Sequence, residues 1–414
     1  MVTQPGSSKK RLVKAKTPTQ REPAILSRLS WSAREIHRMT SRPDGRTRVP
    51  LKAKSERARA GSSATVNASD IKGLRYAWRN RQLVLFLGAG VSIPYGLPSW
   101  KSLVLELLFE QAQGTRRLGS MWPHYRRAVA SWMTDYFDYD PLVLARMVER
   151  DLRVRSSRTP SGATKPADRV DVFLQRLRAH MYANYREPAG STLLTAVGEL
   201  IGKNSSRCGV DSVVTFNFDD LLEAELRRRG VATQPVTSKD RQRGRGFRVI
   251  HPHGYVPRDG PVSRQDIVFT EPDYHRLTES VFHWGLSEIV DRLRKNTVLF
   301  MGLSMSDPSL RRLLDASRNS DIPPHWQIQK RHAIQDQEAL QIMAEVERRA
   351  REYATLLGSG FDEQKKPYQL EEAIHATLRQ ADTYDREVFE GMGVKTIWVD
   401  RFDDVTDIIS AIAR

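Results

Sequence analysis

The segment Leu83–Ser92, with the sequence LVLFLGAGVS, constrains the fold more than any other part of the chain. Five apolar residues lead directly into Gly88-Ala89-Gly90 and then Ser92. This pattern predicts a buried strand ending in a tight turn of small residues, which lets backbone N–H groups approach a phosphate. Pro98-Ser99-Trp100 predicts a second helix start soon afterwards. The turn therefore indicates an α/β fold that binds a nucleotide.

Short apolar runs recur along the chain and mostly do not alternate with polar residues, as expected for strands buried on both faces. They predict strands at Leu83–Leu87, Ser212–Phe216, Phe247–Ile250, Thr297–Met301, His332–Ile334 and Val394–Val399. Helical patterns lie between these runs. We therefore predict an α/β fold with a Rossmann-like, doubly wound parallel sheet and large helical insertions.

The interval between the first two predicted strands is longer than a crossover helix needs. We interpret residues 101–205 as a helical insertion or lid, within a domain spanning residues 70–414. Residues 336–390 predict a second, peripheral helical region. That region is either packed against the domain or forms an oligomer or partner surface.

The net charge of +17 is concentrated at the N-terminus. Residues 1–69 contain 16 Lys and Arg residues against four acidic ones, a net charge of +12, with few large apolar residues. This composition predicts a disordered basic tail. The alternative is an electrostatic contact with nucleic acid or an acidic partner. Only Trp31 could stack on a base, which argues against sequence-specific recognition.

Neither a membrane span nor a secretory signal is predicted. The sequence has no apolar run of about 18 residues, and no apolar stretch follows the basic N-terminal residues. We therefore expect a cytoplasmic protein without membrane contact.

Polar residues follow the predicted strands Ser212–Phe216 and Phe247–Ile250. The carboxyl ends of parallel strands share one edge of a sheet, so these residues are expected to lie near one another. In TFNFDD, the Asn217 amide suits ribose hydroxyls or a carboxamide, and Asp219 could orient it or hold water. Asp220 and Glu223 have capping-box spacing for the next helix, so Asp220 is interpreted as structural.

The HPHG motif contains two histidines. His253 is the candidate for chemistry, because a neutral imidazole can accept a proton from water or a ribose hydroxyl. His251 is interpreted as a supporting or structural residue. A metal site is not expected, since no further His or Asp cluster supplies the remaining ligands.

Two glycine turns complete the predicted pocket. Gly88, Ala89, Gly90 and Ser92 would hold the diphosphate side of a dinucleotide. In MGLSMSDPSL, Gly302 and Ser304 would line the adenosine half, while Asp307 could simply cap the following helix. Ile93 occupies the third glycine position of the dehydrogenase fingerprint, and no strand ending in an acid follows about 20 residues on, which argues against hydride transfer.

Taken in order, GAGVS, GLPSW, TFNFDD, HPHG and MGLSMSDPSL resemble the sirtuin-like NAD-binding fold, as do IVFTEPDY and VKTIWVD. Sirtuin deacylases carry a four-cysteine zinc module, whereas this chain has the single cysteine Cys208. They also have an Asp-Phe-Arg-like triplet where GLPSW stands here. The chain is more similar to the zinc-less, sirtuin-like effectors of bacterial antiphage defence, and among them to subunits that pair with a HerA-like hexameric ATPase.

This resemblance implies that NAD+ is the substrate and is hydrolysed to ADP-ribose and nicotinamide, with no zinc. It implies catalytic roles for Asn217 and His253, supported by Asp219. Because unrestrained NAD+ hydrolysis would deplete the host, we expect control by homo-oligomer assembly or by a partner. Two other classes stay open: an NAD- or ADP-ribose-binding module without turnover, and a nucleic-acid-directed subunit.

Overall fold

The computed structural model describes residues 67–111, 140–157, 171–238, 244–262, 264–279, 283–305, 307–318, 323–332, 336–359 and 369–414. Most of the predicted basic tail lies outside these residues. Residues 67–69 are described: Asn67 caps the first helix, accepting a hydrogen bond from the backbone N–H of Ser69 at 3.1 Å.

Seven parallel strands form one sheet in the order β3-β4-β2-β1-β5-β6-β7. The strands are β1 (Leu83–Leu87), β2 (Val210–Thr215), β3 (Thr233–Val236), β4 (Phe247–Ile250), β5 (Thr297–Met301), β6 (His325–Lys330) and β7 (Val394–Val399). The predicted α/β fold with a doubly wound parallel sheet is confirmed.

Twelve α-helices precede, connect or follow these strands within the described part of the chain. They are α1 (Ala68–Arg79), α2 (Trp100–Gln111), α3 (Pro141–Ser157), α4 (Val172–Tyr182), α5 (Leu193–Gly202), α6 (Leu221–Arg228), α7 (Glu271–Glu279), α8 (Trp284–Lys295), α9 (Pro308–Ser317), α10 (Asp336–Leu356), α11 (Leu370–Gly391) and α12 (Asp404–Ile412). Among the described helices, none combines the length and apolar character needed to cross a membrane.

Two strands of the sheet were not predicted. The strand β6 at His325–Lys330 precedes the predicted run His332–Ile334, and its polar side chains hide it from an apolar pattern. Of the predicted run, residues 333–334 lie outside the described residues. Gln327, fully buried in β6, donates from Nε2 to Thr396 Oγ1 at 2.8 Å. The other is β3, a short edge strand whose Pro235 is tolerated because the strand pairs on one side only.

Side chains alternate across the sheet into two apolar layers. Leu83, Leu85 and Leu87 of β1 pack with α1, α5, α6 and α12 on one face. Val84 and Phe86 pack with α8, α9 and Phe389 of α11 on the other. Burial on both faces explains why all five residues of β1 are apolar.

A third apolar cluster joins α2, α3 and α4, which we call the helical cover. It includes Phe218, which follows β2, and Val256, which follows β4, so the cover lies at the carboxyl edge of the sheet. Arg264 strengthens this contact by donating from Nε to Glu149 of α3 at 3.0 Å and from Nη2 to Asp273 at 3.0 Å. The fourth described helix of residues 101–205, α5, packs instead on the sheet.

Candidate functional site

The order of strand connections reverses beside β1. From β1 the chain continues to β2 on one side and later returns to β5 on the other. In an open α/β sheet, the crevice outside the carboxyl ends at such a reversal is the usual ligand site. The segments after β1, β2, β4 and β5 meet there, and they carry the residues predicted from sequence.

The two glycine turns touch each other. Gly88 N–H donates to Met301 O at 3.0 Å, and Gly90 N–H donates to Gly302 O at 2.9 Å. A Cβ at Gly90 would lie 2.6 Å from the Cα of Gly302, and Gly302 itself has a positive φ of 65°. Contact between the turns is therefore one reason for glycine here, a reason that the sequence did not reveal. The role of these turns in holding a dinucleotide stays a prediction.

Asn217 is held by the turn after β1. Its Nδ2 group donates to Gly88 O at 2.9 Å and to Ser92 Oγ at 3.0 Å. Ser92 in turn donates from Oγ to Asp219 Oδ2 at 2.8 Å. Both amide hydrogens of Asn217 are thus used within the protein, and its Oδ1, which has no hydrogen-bond partner among the described residues, can accept from a ligand. Ser92, expected on the diphosphate side, lies between Asn217 and Asp219.

Asp219 is buried and also caps α6, accepting from Leu221 N–H at 3.2 Å. Burial raises the pKa of this carboxyl to about 6, although the hydrogen bonds from Ser92 and Leu221 act in the opposite direction. Burial therefore makes the ionised form of Asp219 unfavourable at neutral pH, while its hydrogen bond with Ser92 orients that side chain.

The capping box predicted for Asp220 and Glu223 is wrong. Asp220 makes no side-chain capping bond to α6. Its Oδ1 instead accepts from Tyr182 OH at 3.3 Å and from Arg258 Nε at 3.2 Å. Glu223 contacts His251 rather than the backbone at the helix start, with 2.7 Å between Oε1 and Nε2. Long-range partners compete successfully with the local capping geometry.

His253 lies between two aromatic rings. Its imidazole makes edge contacts with Phe216, at 5.1 Å between ring centroids, and with Tyr274, at 5.5 Å. Burial lowers the pKa of His253; Asp307 opposes this shift and His283 adds to it. The imidazole is therefore neutral at physiological pH, as proton acceptance requires.

Tyr274 contacts His253 in the candidate site and was not predicted from the sequence. Burial raises the pKa of its phenol, and the nearby carboxylates of Asp307 and Asp273 raise it further, so the phenol stays protonated. The available signal was its position after the Thr270-x-x-Asp273 capping pattern. In the structure Asp273 accepts hydrogen bonds from Thr270 N–H at 2.8 Å and Thr270 Oγ at 2.9 Å.

The residues after β5 take different places. Gly302 packs against the first turn, and Ser304 is exposed. Asp307 caps α9, accepting from Ser309 N–H at 2.8 Å with Pro308 in the first turn, which confirms the capping interpretation. Among the described residues, no group of three or more His, Cys, Asp or Glu side chains could hold a metal ion.

Residues 211–356 match the family described as the SIR2-like domain. The matched segment runs from β2 through α10 and includes Asn217, His253 and Gly302, whereas the glycine turn after β1 precedes it. The SIR2-like family binds NAD+, and its members are often NAD-dependent enzymes. No curated protein matches the chain.

Proposed function

We propose that the chain is an NAD+ glycohydrolase, which cleaves NAD+ to ADP-ribose and nicotinamide. The observation that carries the proposal is that Asn217, held by the turn after β1, and a neutral His253, in ring contact with Phe216, both follow strands at the carboxyl edge of the sheet, in the segment that matches the SIR2-like family. Asn217 offers an oriented amide oxygen, and His253 offers an unprotonated imidazole. Together they supply a positioning group and a proton acceptor.

The chemistry requires little acid catalysis, because nicotinamide leaves NAD+ as a neutral molecule from a cationic ring. The bond between ribose C1′ and the ring nitrogen breaks, and its electron pair returns to the pyridine ring. Water oxygen forms the new bond to C1′, and its proton passes to His253 and then to solvent. Asn217 Oδ1 accepts from this water or from a ribose hydroxyl, which orients the reacting atoms.

The remaining predicted residues would bind the rest of the substrate. In this proposal Gly88, Ala89 and Gly90 line the diphosphate, and Gly302 and Ser304 lie on the adenosine side. Ser92 and Asp219 hold the Asn217 amide. Tyr274 restricts water around His253 by ring contact.

Substitution of the two central residues tests the assignment. We expect Asn217→Ala and His253→Ala each to lower nicotinamide release by about 10²-fold or more, because each removes a group that acts on the reacting atoms. Thermal melting followed by circular dichroism checks that both variants fold. His375→Ala, which alters a histidine of α11 away from the site, is the matched control. Turnover within about threefold of wild type in both site variants would refute the assignment.

An NAD+- or ADP-ribose-binding subunit without turnover is the second candidate, favoured by the many backbone groups and few reactive side chains of the glycine turns. Calorimetry with NAD+, together with product analysis, separates the two functions. Binding without nicotinamide release, in the presence of any activating partner, supports the second candidate.

We further propose that the protein is a cytoplasmic antiphage effector that acts by abortive infection. Its activity would be restrained or triggered by homo-oligomer assembly or by a partner such as a HerA-like hexameric ATPase. Exposed apolar side chains at Leu356, Leu357, Tyr384 and Val388, near or within α10 and α11, support an assembly surface. NAD+ consumption should be compared for the isolated chain and for the chain mixed with the product of a neighbouring gene, with light scattering to measure assembly.

A further inference from the structure

A buried pair of ionisable residues, His251 and Glu223, lies next to the backbone of Asn217. Both side chains are almost completely excluded from solvent, at 0% and 1% exposure. His251 Nε2 is 2.7 Å from Glu223 Oε1, and its Nδ1 is 3.2 Å from the backbone O of Asn217. The pair therefore connects α6, the segment after β4 and the segment after β2.

The contact with Asn217 assigns a role to one ring nitrogen. A carbonyl oxygen only accepts, so His251 Nδ1 is the donor in its hydrogen bond to Asn217 O. The other ring nitrogen, Nε2, contacts Glu223 Oε1 at 2.7 Å. Glu223 therefore holds the ring from one side, while Nδ1 reaches the Asn217 carbonyl from the other.

Fold stability alone does not account for this pair. Glu223 Oε2 is buried and has no hydrogen-bond partner among the described residues. A buried polar atom without a partner destabilises the folded state, and a buried ion pair is often no more stable than apolar residues of similar volume. Tyr255 packs its ring against His251 at 4.6 Å, which adds packing without satisfying this oxygen.

We propose that His251 and Glu223 are positioning residues that fix the Asn217 backbone carbonyl and so aim the Asn217 side chain at the substrate. The inference rests on the proposed NAD+ hydrolysis. Ser92 and Gly88 hold the side-chain amide of Asn217, while His251 holds its backbone. Asn217 is thus anchored from two sides, by residues that do not touch the reacting atoms.

The double variant Glu223→Leu/His251→Phe tests the proposal. It removes both polar partners and approximately conserves volume, so we expect a melting temperature equal to or above that of wild type. We expect kcat to fall by about 10- to 100-fold, because small displacements of a positioning group cost about that much, while KM changes by less than about threefold. If the pair serves only to stabilise the fold, kcat should instead change in step with the melting temperature.

Glu223→Gln is the conservative control. Its amide can donate to Nε2 of a neutral His251, which keeps Nδ1 as the donor to Asn217. We expect its kcat to stay within about threefold of wild type. The proposal is wrong if the double variant keeps wild-type kcat, or if Glu223→Gln loses as much activity as the double variant.

Two further measurements keep the test decisive. If the double variant does not fold, His251→Gln, which retains an N–H donor, should keep more kcat than His251→Phe; equal kcat values in these variants would overturn the proposal. If wild type releases no nicotinamide under any condition, the proposed function fails, and amide hydrogen exchange in residues 216–220 decides the positioning inference. Faster exchange in the double variant than in Glu223→Gln supports it, and equal exchange refutes it.

Discussion

Asp219 destabilises the folded state when it is ionised, because it is buried, and it also supports Asn217 through Ser92. Burial raises its pKa from 3.8 to about 6, so the folded protein holds this proton more tightly than the unfolded chain does. The contribution of Asp219 to stability therefore falls as pH rises from about 4 to about 6, and it is constant above that range. At neutral pH, ionised Asp219 destabilises the fold by roughly 3 kcal/mol relative to a solvated carboxylate.

Replacing this carboxylate with an amide should separate stability from activity. We expect Asp219→Asn to increase the free energy of unfolding, relative to wild type, more at pH 7.5 than at pH 4.5, because only the ionised carboxylate carries the burial cost. Nicotinamide release should fall, since the support of Ser92 is weakened. Urea unfolding at both pH values measures the effect, with the exposed Asp315→Asn as control. An equal change in stability at both pH values would contradict the pKa assignment.

Residues with a role visible in a local pattern could be predicted, and residues defined by a distant partner could not. Asn217 and His253 follow predicted strands in short motifs, so the sequence pointed to both. Glu223 has capping-box spacing, and nothing local indicates that its partner is His251, 28 residues away. Tyr274 similarly meets His253 only when the chain folds.

At the element scale, the apolar pattern works where a strand is buried on both faces. The bounds of β1, β4, β5 and β7 agree with the prediction, and β2 differs by one or two residues. The pattern fails for β6, whose buried glutamine is satisfied by Thr396 on β7. Such cross-strand partners are defined only after the strands pair, so a single-sequence pattern does not contain them.

The helical cover contains a pH-sensitive contact between α4 and α2. His180 Nε2 lies 2.9 Å from Glu110 Oε2, and Nδ1 lies 3.7 Å from Glu106 Oε2. Burial alone would lower the pKa of His180, but the carboxylates of Glu106 and Glu110 outweigh it and raise the pKa. The stabilising contribution is therefore fully present below pH 6.5, the ordinary value for histidine, and is lost as pH rises through the raised pKa.

We expect His180→Gln to destabilise the protein by about 0.5–1 kcal/mol more at pH 5.5 than at pH 9, since these groups are partly exposed and the ion pairs are weakened by solvent. Urea denaturation at the two pH values measures the difference. The His375→Gln variant on α11 serves as the comparison. A cost that does not change with pH would show that the contact depends on packing rather than on charge.

For the whole molecule, the distribution of charge gives a prediction about nucleic acid. Residues 1–66 carry the full +12 of the basic segment, and the deletion should end there because Asn67 caps α1. If the basic segment contacts nucleic acid, the full chain should bind double-stranded DNA with an affinity that falls steeply with salt, and the chain from residue 67 onward should lose most of that binding. Fluorescence anisotropy at several salt concentrations measures this. Unchanged binding after deletion would exclude the basic segment as the contact.

The glycine turns after β1 and β5 join the two halves of the sheet at the floor of the crevice. A hydrogen bond of 2.9 Å connects Gly90 to Gly302, and there is no room for a Cβ at Gly88, Gly90 or Gly302. The floor of the crevice is therefore rigid. The helical cover, in contrast, is attached through apolar packing and the ion pairs of Arg264. Access for a molecule as large as a dinucleotide would therefore depend on the position of the helical cover. A partner that displaced the cover would change this access and leave the sheet unchanged.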